Sequence, residues 1–452
     1  MALKFHNTLT KELDIFKPLD PSGKKVGLYS CGPTPYNYAH IGNFRAYILA
    51  DIVRRSLGYC GYEVKHIMNL TDVDDKTIRD SQKAGKTLNE FTTFYADEFK
   101  NDSLGLNILP PNIYARAVEH IPQMVALIEE LLKKGYAYKS DDGSVYFDIH
   151  KDKEYGQLST ITLAEQLANA AGRIKLDEYE KDNANDFALW KAWDESDGDV
   201  FWQTSLGKGR PGWHIECSAM SMEYLGESFD IHTGGVDLIF PHHENEIAQS
   251  ECATGKKFVN YWLHNEWVMV ENKKMSKSAG NFVTLRTIVE RGINPIAFRL
   301  LVLMSHYRSP VNFTWEALEG AKQALKRLST HILELPEGGS VNTEYQNQFK
   351  TIIENDLDTP KGLALLWEVL KDEALNSADK KATLLDFDKV LGLGLALFKK
   401  VEITTDIQNL INKRDAARQA KDWKKSDELR AEIEAFGFIV KDTEHGTIVE
   451  QK

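Results

Sequence analysis

A strand–turn–helix–strand run near the N-terminus constrains this chain more than any other feature. Lys25 to Ser30 is a short apolar strand candidate that leads into the turn Cys31-Gly32-Pro33-Thr34-Pro35. Phe44, Tyr47, Ile48, Ile52, Val53 and Leu57 then recur at helical spacing. Gly58 and Gly61 are placed to stop that helix, and Glu63 to Leu70 reads as a second strand. Such a βαβ unit puts both strands in parallel in one sheet with the helix across its face. Sheets of this kind carry ligand sites at the carboxyl ends of their strands, and helix N-termini there attract anions.

His40-Ile41-Gly42-Asn43 stands at that place, just before the helix. Its amides and side chains can meet phosphate oxygens, and Gly42 lets a nucleotide come close to the backbone. Taken alone, His40 and Asn43 read as turn and capping residues. Far downstream, the polar run Glu271 to Asn281 contains Lys274-Met275-Ser276-Lys277-Ser278, followed by Gly280. Two ammonium groups three residues apart on a mobile loop suit a grip on polyphosphate. Taken alone, that loop too is ordinary solvated surface. The pair, in this order with a sheet domain between, decides for a nucleotide clamp.

A chain of 452 residues can bury a large core and suggests two to four domains. Four cysteines form no disulfide framework at this length, which favours a reducing compartment, with the cytoplasm expected. No signal-peptide core or membrane-length apolar run is present in the sequence. A net charge of -12 excludes a generally basic nucleic-acid coat, so RNA contact must rest on local patches. The expected fold is α/β. A Rossmann-like parallel-sheet domain spans 1–115 and 201–265, interrupted by a connective insertion over 116–200. A signature-loop and stem-contact region covers 266–320, a helical bundle 321–400 and a small terminal module 401–452. Within these, Tyr114 to Lys134 reads as an amphipathic helix. Ala137 to Ile149 reads as a hairpin turning at Asp141-Asp142-Gly143, and Ile407 to Phe436 as a charged helix.

The paired signatures resemble those of class I aminoacyl-tRNA synthetases, and three longer blocks are closer still. Tyr29 to Thr34, Pro211 to Ser218 and Phe240 to Glu246 are similar to cysteinyl-tRNA synthetase, a likeness that runs in order along the whole chain. Position 43 departs from the class signature by carrying Asn in place of His; an amide can donate to phosphate or ribose but cannot titrate. The resemblance implies that Trp213 walls the amino-acid pocket and that His232 and Asp237 orient the substrate. It also implies that Gly234-Gly235 admits adenine or ribose. Thr71 is counted among the substrate contacts, against its reading with Asp72 and Asp75 as a helix cap.

The residues of those blocks point to zinc. Pro241 suits the first turn of a helix that ends at Gly255, on which His242 and Glu246 share a face. His243 points about 100° away and is expected to stay out of the site. Cys31 and Cys217 complete a borderline-soft set of two thiolates, an imidazole and a carboxylate. A metalloprotease is excluded, because Ile247 occupies the second histidine position of His-Glu-x-x-His. Cys60 and Cys252 are structural. A metal that lowers the thiol pKa selects cysteine over serine or alanine more sharply than pocket size can.

The expected reaction activates L-cysteine with ATP and Mg²⁺ to an adenylate, then transfers it to tRNA(Cys). Lys274 and Lys277 neutralise pyrophosphate, and Glu246 is the ligand expected to give way to substrate sulfur. Between Lys413 and Arg430 a basic stretch surrounding Trp423 suits an anticodon contact, and equally an ordinary charged surface helix. A ligase passing cysteine to a small amine is the nearest rival; the long helical tail argues for tRNA instead, and a monomer is expected.

Overall fold

The computed structural model describes residues 2–159, 186–275, 281–399, 405–436, 438–443 and 446–451. β1 (Lys4–Asn7) and β2 (Glu12–Ile15) form a hairpin ahead of β3 (Lys25–Ser30). α1 (Ile41–Tyr59) crosses to β4 (Glu63–Leu70), and α2 (Asp75–Lys83) and α3 (Leu88–Gly105) lead to β5 (Ile113–Arg116). α1 runs through Gly58, and the break falls at Gly61 with φ +93°. After α4 (Ile121–Lys134) comes an antiparallel sheet made of β6 (Ala137–Lys139), β7 (Val145–Phe147), β8 (Phe187–Ala192), β9 (Trp202–Thr204) and β10 (Gly207–Pro211). The chain then returns through α5 (Trp213–Leu225), β11 (Phe229–Gly235), α6 (Glu244–Thr254) and β12 (Val259–Asn265).

The central sheet has the order β12-β11-β3-β4-β5 with all neighbours parallel. The α/β class with a parallel sheet is as expected. From β3 the chain first builds outward to β4 on one side and later returns to β11 on the other. That reversal opens a crevice beyond the carboxyl ends of β3 and β11. Strand residues alternate between two cores. Leu28, Met68 and Leu263 face one with α1, while Tyr29, Ile67 and Trp262 face the other with α5 and α6. A strand buried on both faces must be apolar at successive positions, which β4 is over Ile67 and Met68.

The rest extends from the first core. β13 (Val268–Val270) and β14 (Lys273–Lys274) make a tight hairpin, then come α7 (Leu285–Glu290), α8 (Pro295–Leu303) and β15 (Val311–Phe313), which pairs parallel with β13. α9 (Trp315–Glu334), α10 (Thr343–Glu354), α11 (Thr359–Lys371) and α12 (Ser377–Leu391) follow as helices. α13 (Thr405–Gln419), α14 (Trp423–Ala435), β16 (Phe438–Thr443) and β17 (Gly446–Gln451) close the chain.

Two local expectations are corrected. The helix expected over Tyr114 to Lys134 begins as strand β5, because that segment pairs with β4 and completes the sheet edge. The helix expected over Ile407 to Phe436 is two. Lys421 adopts φ +59° and Asp422 caps α14, whose contact with α13 favours an antiparallel pair over one exposed rod. Among the described residues, no helix is long and apolar enough to cross a membrane.

Candidate functional site

Local chemistry brings the ends of β3 and β4 together. The Gly32 amide donates to Asn69 Oδ1 at 2.7 Å, and a Cβ at residue 32 would stand 1.9 Å from the Asn69 carbonyl oxygen. Only glycine permits that approach. The Thr71 amide donates to the Pro33 carbonyl at 3.1 Å, and Thr71 Oγ1 accepts from Asn69 Nδ2 at 3.0 Å. Cys31 and buried Thr71 are thus held at adjoining strand ends.

His40 is the N-cap of α1, and with Asn43 it makes a reciprocal capping box: the Asn43 amide donates to His40 Nδ1 and the His40 amide to Asn43 Oδ1. Capping uses only those two side-chain atoms and leaves His40 Nε2 and Asn43 Nδ2 outside it. The distant signature packs against this cap. The Ile41 amide donates to the Val283 carbonyl at 3.0 Å, His40 and Phe282 rings meet edge to face, and Met275 Cε lies 3.1 Å from where a Cβ on Gly42 would be. Lys274 belongs to strand β14 and not to an open loop, because Glu271 and Asn272, with φ +51° and +60°, form a tight turn matched to a two-stranded hairpin. Lys277, the second expected phosphate-binding lysine, lies outside the described residues.

Where β3 ends at Cys31, six buried or nearly buried donors converge. Cys31 Sγ is 4.0 Å from Cys217 Sγ, 4.0 Å from Glu246 Oε1 and 3.4 Å from His243 Nε2. Glu246 meets His242 Nε2 through Oε1 and His232 Nε2 through Oε2, each at 3.0 Å. Two ligand sets emerge, Cys31, Cys217, His242, Glu246 and Cys31, His232, His243, Glu246, each with its donor atoms within 4.8 Å of one another. The expectation that His243 faces away is therefore overturned. Glu246 lies four residues after His242 and three after His243, and both spacings make helix neighbours, so both rings reach its carboxylate.

The charges are those of a site prepared for a cation. Burial pushes the Cys31 thiol up, reinforced by its hydrogen bond to Cys217. Burial acts upward on Cys217 too, but the Cys31 hydrogen bond and His242 outweigh it and lower that thiol to about 6. Burial opposes the charge of His242, yet Glu246 and Cys217 raise it to about 10. Glu246 is held at about 2 against burial by His232 and His242. One proton on His242 thus stands where a metal would place its charge. The geometry fits Zn²⁺: ~2.3 Å bonds to two sulfurs at a tetrahedral angle separate them by about 3.8 Å.

The remaining substrate candidates fall around this cluster. Trp213 begins α5 and stacks on His242 with centroids 4.2 Å apart. His232 is fully buried, bonded to Glu246 and stacked on Trp262, which ties it to the carboxylate. Asp237 sits in a single 3₁₀ turn beyond β11, close enough for its charge to weigh on the Cys31 thiol. Gly234 makes room for His243, whose ring would stand 2.6 Å from a Cβ there, and Gly235 precedes the Asp237 turn.

Three supporting residues escaped the sequence reading. His214 Nδ1 lies 2.9 Å from His242 Nδ1. His264 Nε2 lies 2.7 Å from His243 Nδ1, and Thr8 Oγ1 lies 2.7 Å from His264 Nδ1. Such outer partners fix the tautomer and aim of a ligand ring. Strand parity carried a signal for one of them, since His264 shares a face of β12 with Trp262. Thr8 comes from the N-terminal hairpin, 256 residues away, and left none.

The model of the class I (C) tRNA synthetase catalytic domain matches residues 16–323, and that of the cysteinyl-tRNA ligase anticodon-binding domain matches 400–448. The chain is 45% identical to the cysteine--tRNA ligase of Brachyspira hyodysenteriae over 98% of both chains, and 44% identical to that of Chlamydia muridarum over the full length of both. In fold it is similar to Mycobacterium tuberculosis methionyl-tRNA synthetase, with a TM-score of 0.55 at 14% identity, covering 86% of this chain and 94% of that one. The LeuRS of an Agrobacterium radiobacter tRNA complex gives 0.57 at 13% identity, covering 84% and 85%. With its catalytic and anticodon-binding segments both matched in order, the chain belongs to the cysteinyl-tRNA synthetases, class I enzymes that act as cysteine--tRNA ligases.

Proposed function

We propose that this ligase activates L-cysteine with ATP as a cysteinyl-adenylate and selects the amino acid by its thiolate at a Zn²⁺ held by Cys31, Cys217, His242 and Glu246. The observation that carries the reading is the convergence of those four donors, with Cys31 at the end of β3 in the same connection that leads to His40 at the head of α1. This set is preferred over the one with His232 and His243 because two thiolates match zinc better than one. Bound zinc supplies a soft Lewis acid that lowers the substrate thiol from its usual ~8.5 and discriminates against serine oxygen.

The chain's own residues do the rest by positioning and charge. His40, Gly42 and Asn43 take the ATP phosphates at the head of α1, and Lys274 with Lys277 offsets the pyrophosphate charge, with Mg²⁺ arriving on ATP. Trp213 walls the cysteine pocket, with Thr71, His232 and Asp237 around it, and Gly234-Gly235 borders the nucleoside. Residues 1–115 and 201–265 form the catalytic unit and 116–200 the connective insertion. The 266–320 region and the 321–400 bundle lead to 401–452, which takes the anticodon of tRNA(Cys). There Trp423 is 57% exposed beside Arg418 and offers a stacking face. The enzyme works as a cytoplasmic monomer.

Cysteine-dependent ATP–pyrophosphate exchange tests the first step, with serine as competitor and a chelator as control. Exchange with cysteine alone that the chelator abolishes is expected; equal exchange with serine, or indifference to chelation, would sink the zinc reading. Charging of tRNA(Cys) should then follow, and Trp423→Ala should impair charging while leaving exchange intact.

A further inference from the structure

Arg45 lies two residues beyond Asn43 on α1 but points away from the crevice, with 1% of its surface exposed. Its hydrogen-bond partners among the described residues are main-chain oxygens. Nη1 donates to the Trp267 carbonyl at 2.6 Å, and Nη2 to those of His306 at 3.3 Å, Tyr307 at 3.2 Å and Ser309. A buried guanidinium is costly to desolvate, so an apolar side chain would be a cheaper way to fill this space. What the fork provides is position, since one planar group ties three segments at fixed angles.

Those segments lead to the two halves of the nucleotide site. The Trp267 carbonyl immediately precedes β13, whose hairpin partner β14 carries Lys274 and runs into Met275 over Gly42. The same carbonyl accepts from the Val311 amide at 3.0 Å, and the Tyr307 carbonyl from the Glu266 amide at 2.9 Å, so the loop 305–309 is hydrogen-bonded to the root of the hairpin. That loop is anchored in turn to the corner between α10 and α11. Asp356 accepts from Tyr307 Oη at 2.6 Å and Arg308 Nε at 2.8 Å, and its carbonyl lies 2.9 Å from His306 Nε2. Asp356 and Leu357 hold left-handed φ of +60° and +57°, strain that the surrounding bonds must over-determine.

We propose that Arg45 is a positioning residue for adenylate formation: it fixes the spacing between His40–Asn43 at the head of α1 and Lys274–Met275 at the end of the β13–β14 hairpin. This rests on the reading of those two segments as the ATP clamp. Arg45→Met keeps length and loses every donor; Arg45→Lys keeps the charge and loses the fork. In pyrophosphate exchange, Arg45→Met should lower kcat by roughly 100-fold, the order of loss for a misplacement near 1 Å. Arg45→Lys should recover part of that rate. Both should raise the KM for ATP while leaving the KM for cysteine and the zinc content unchanged.

Wild-type rates in Arg45→Met, or equal losses for ATP and cysteine, would overturn the proposal. Hydrogen exchange on the wild-type enzyme needs no variant to fold. A saturating non-hydrolysable ATP analogue should slow exchange at the 305–309 amides together with those of 267–275. Protection confined to 267–275 would also overturn it. Lys274→Ala separates the two levels of inference: a normal exchange rate there would refute the clamp reading itself, whatever Arg45 does.

Discussion

Asp51 and Glu246 are both carboxylates fully removed from water, and they serve opposite ends. Asp51 accepts from Arg299 at 2.5 Å, Arg55 at 2.8 Å and the Leu109 amide at 2.9 Å, joining α1 to α8 and the end of α3. Burial acts to raise its pKa, but Arg299 and Arg55 hold it below the ordinary 3.8. Its partners carry permanent positive charge, so its charge is matched within the fold. Glu246 is matched only by histidines, which hold a proton conditionally, and two thiols crowd the same space. The identity of the partners separates the two cases: a carboxylate closed by arginines stabilises, whereas one closed by imidazoles and thiols can exchange protons for a metal.

The largest expected effect comes from removing a donor at the second site. Cys217→Ala should lose zinc by elemental analysis and more than ~100-fold of cysteine-dependent exchange, beyond the range for outer partners, while melting close to wild type. Full activity in a zinc-free Cys217→Ala would break the contrast. Asp51→Asn should do the reverse. It leaves Arg299 without its buried counter-charge and should cost about 3–5 kcal/mol in denaturant unfolding, yet the folded fraction should bind zinc normally.

Smaller effects sharpen the comparison. His214→Ala removes the partner that aims His242 and should weaken zinc by about 10-fold in a competitive chelator titration. Acid should narrow the gap between wild type and Asp51→Asn. The folded pKa of Asp51 is depressed, so its stabilisation is complete above the unfolded value of 3.8 and fades as pH falls through the lower folded value. A gap that stayed constant from about pH 5 into that range would show that Asp51 contributes no charge term.

How much could be read in advance differs from residue to residue. The βαβ unit was legible because strand length, helical periodicity and stop residues all lie within Lys25 to Leu70. Cys31, Cys217, His242 and Glu246 were named from chemistry and resemblance, and they do converge. His243 is not legible from the i,i+4 pair alone, because the i,i+3 spacing brings it to Glu246 as well. The start of β5 was misread as helix because an amphipathic period says nothing of a sheet edge waiting to be paired.

By itself, the sequence determined the first βαβ unit, the parallel sheet and the kinds of donor available, since these depend on local periodicity and side-chain chemistry. Tertiary structure alone decided which donors meet and what stands behind them. Thr8 reaching His264, Arg45 gripping the loop 305–309 and Arg299 closing on Asp51 each join residues more than 200 apart. Such contacts follow from how the sheet and helices pack around two cores, and no local pattern encodes that packing.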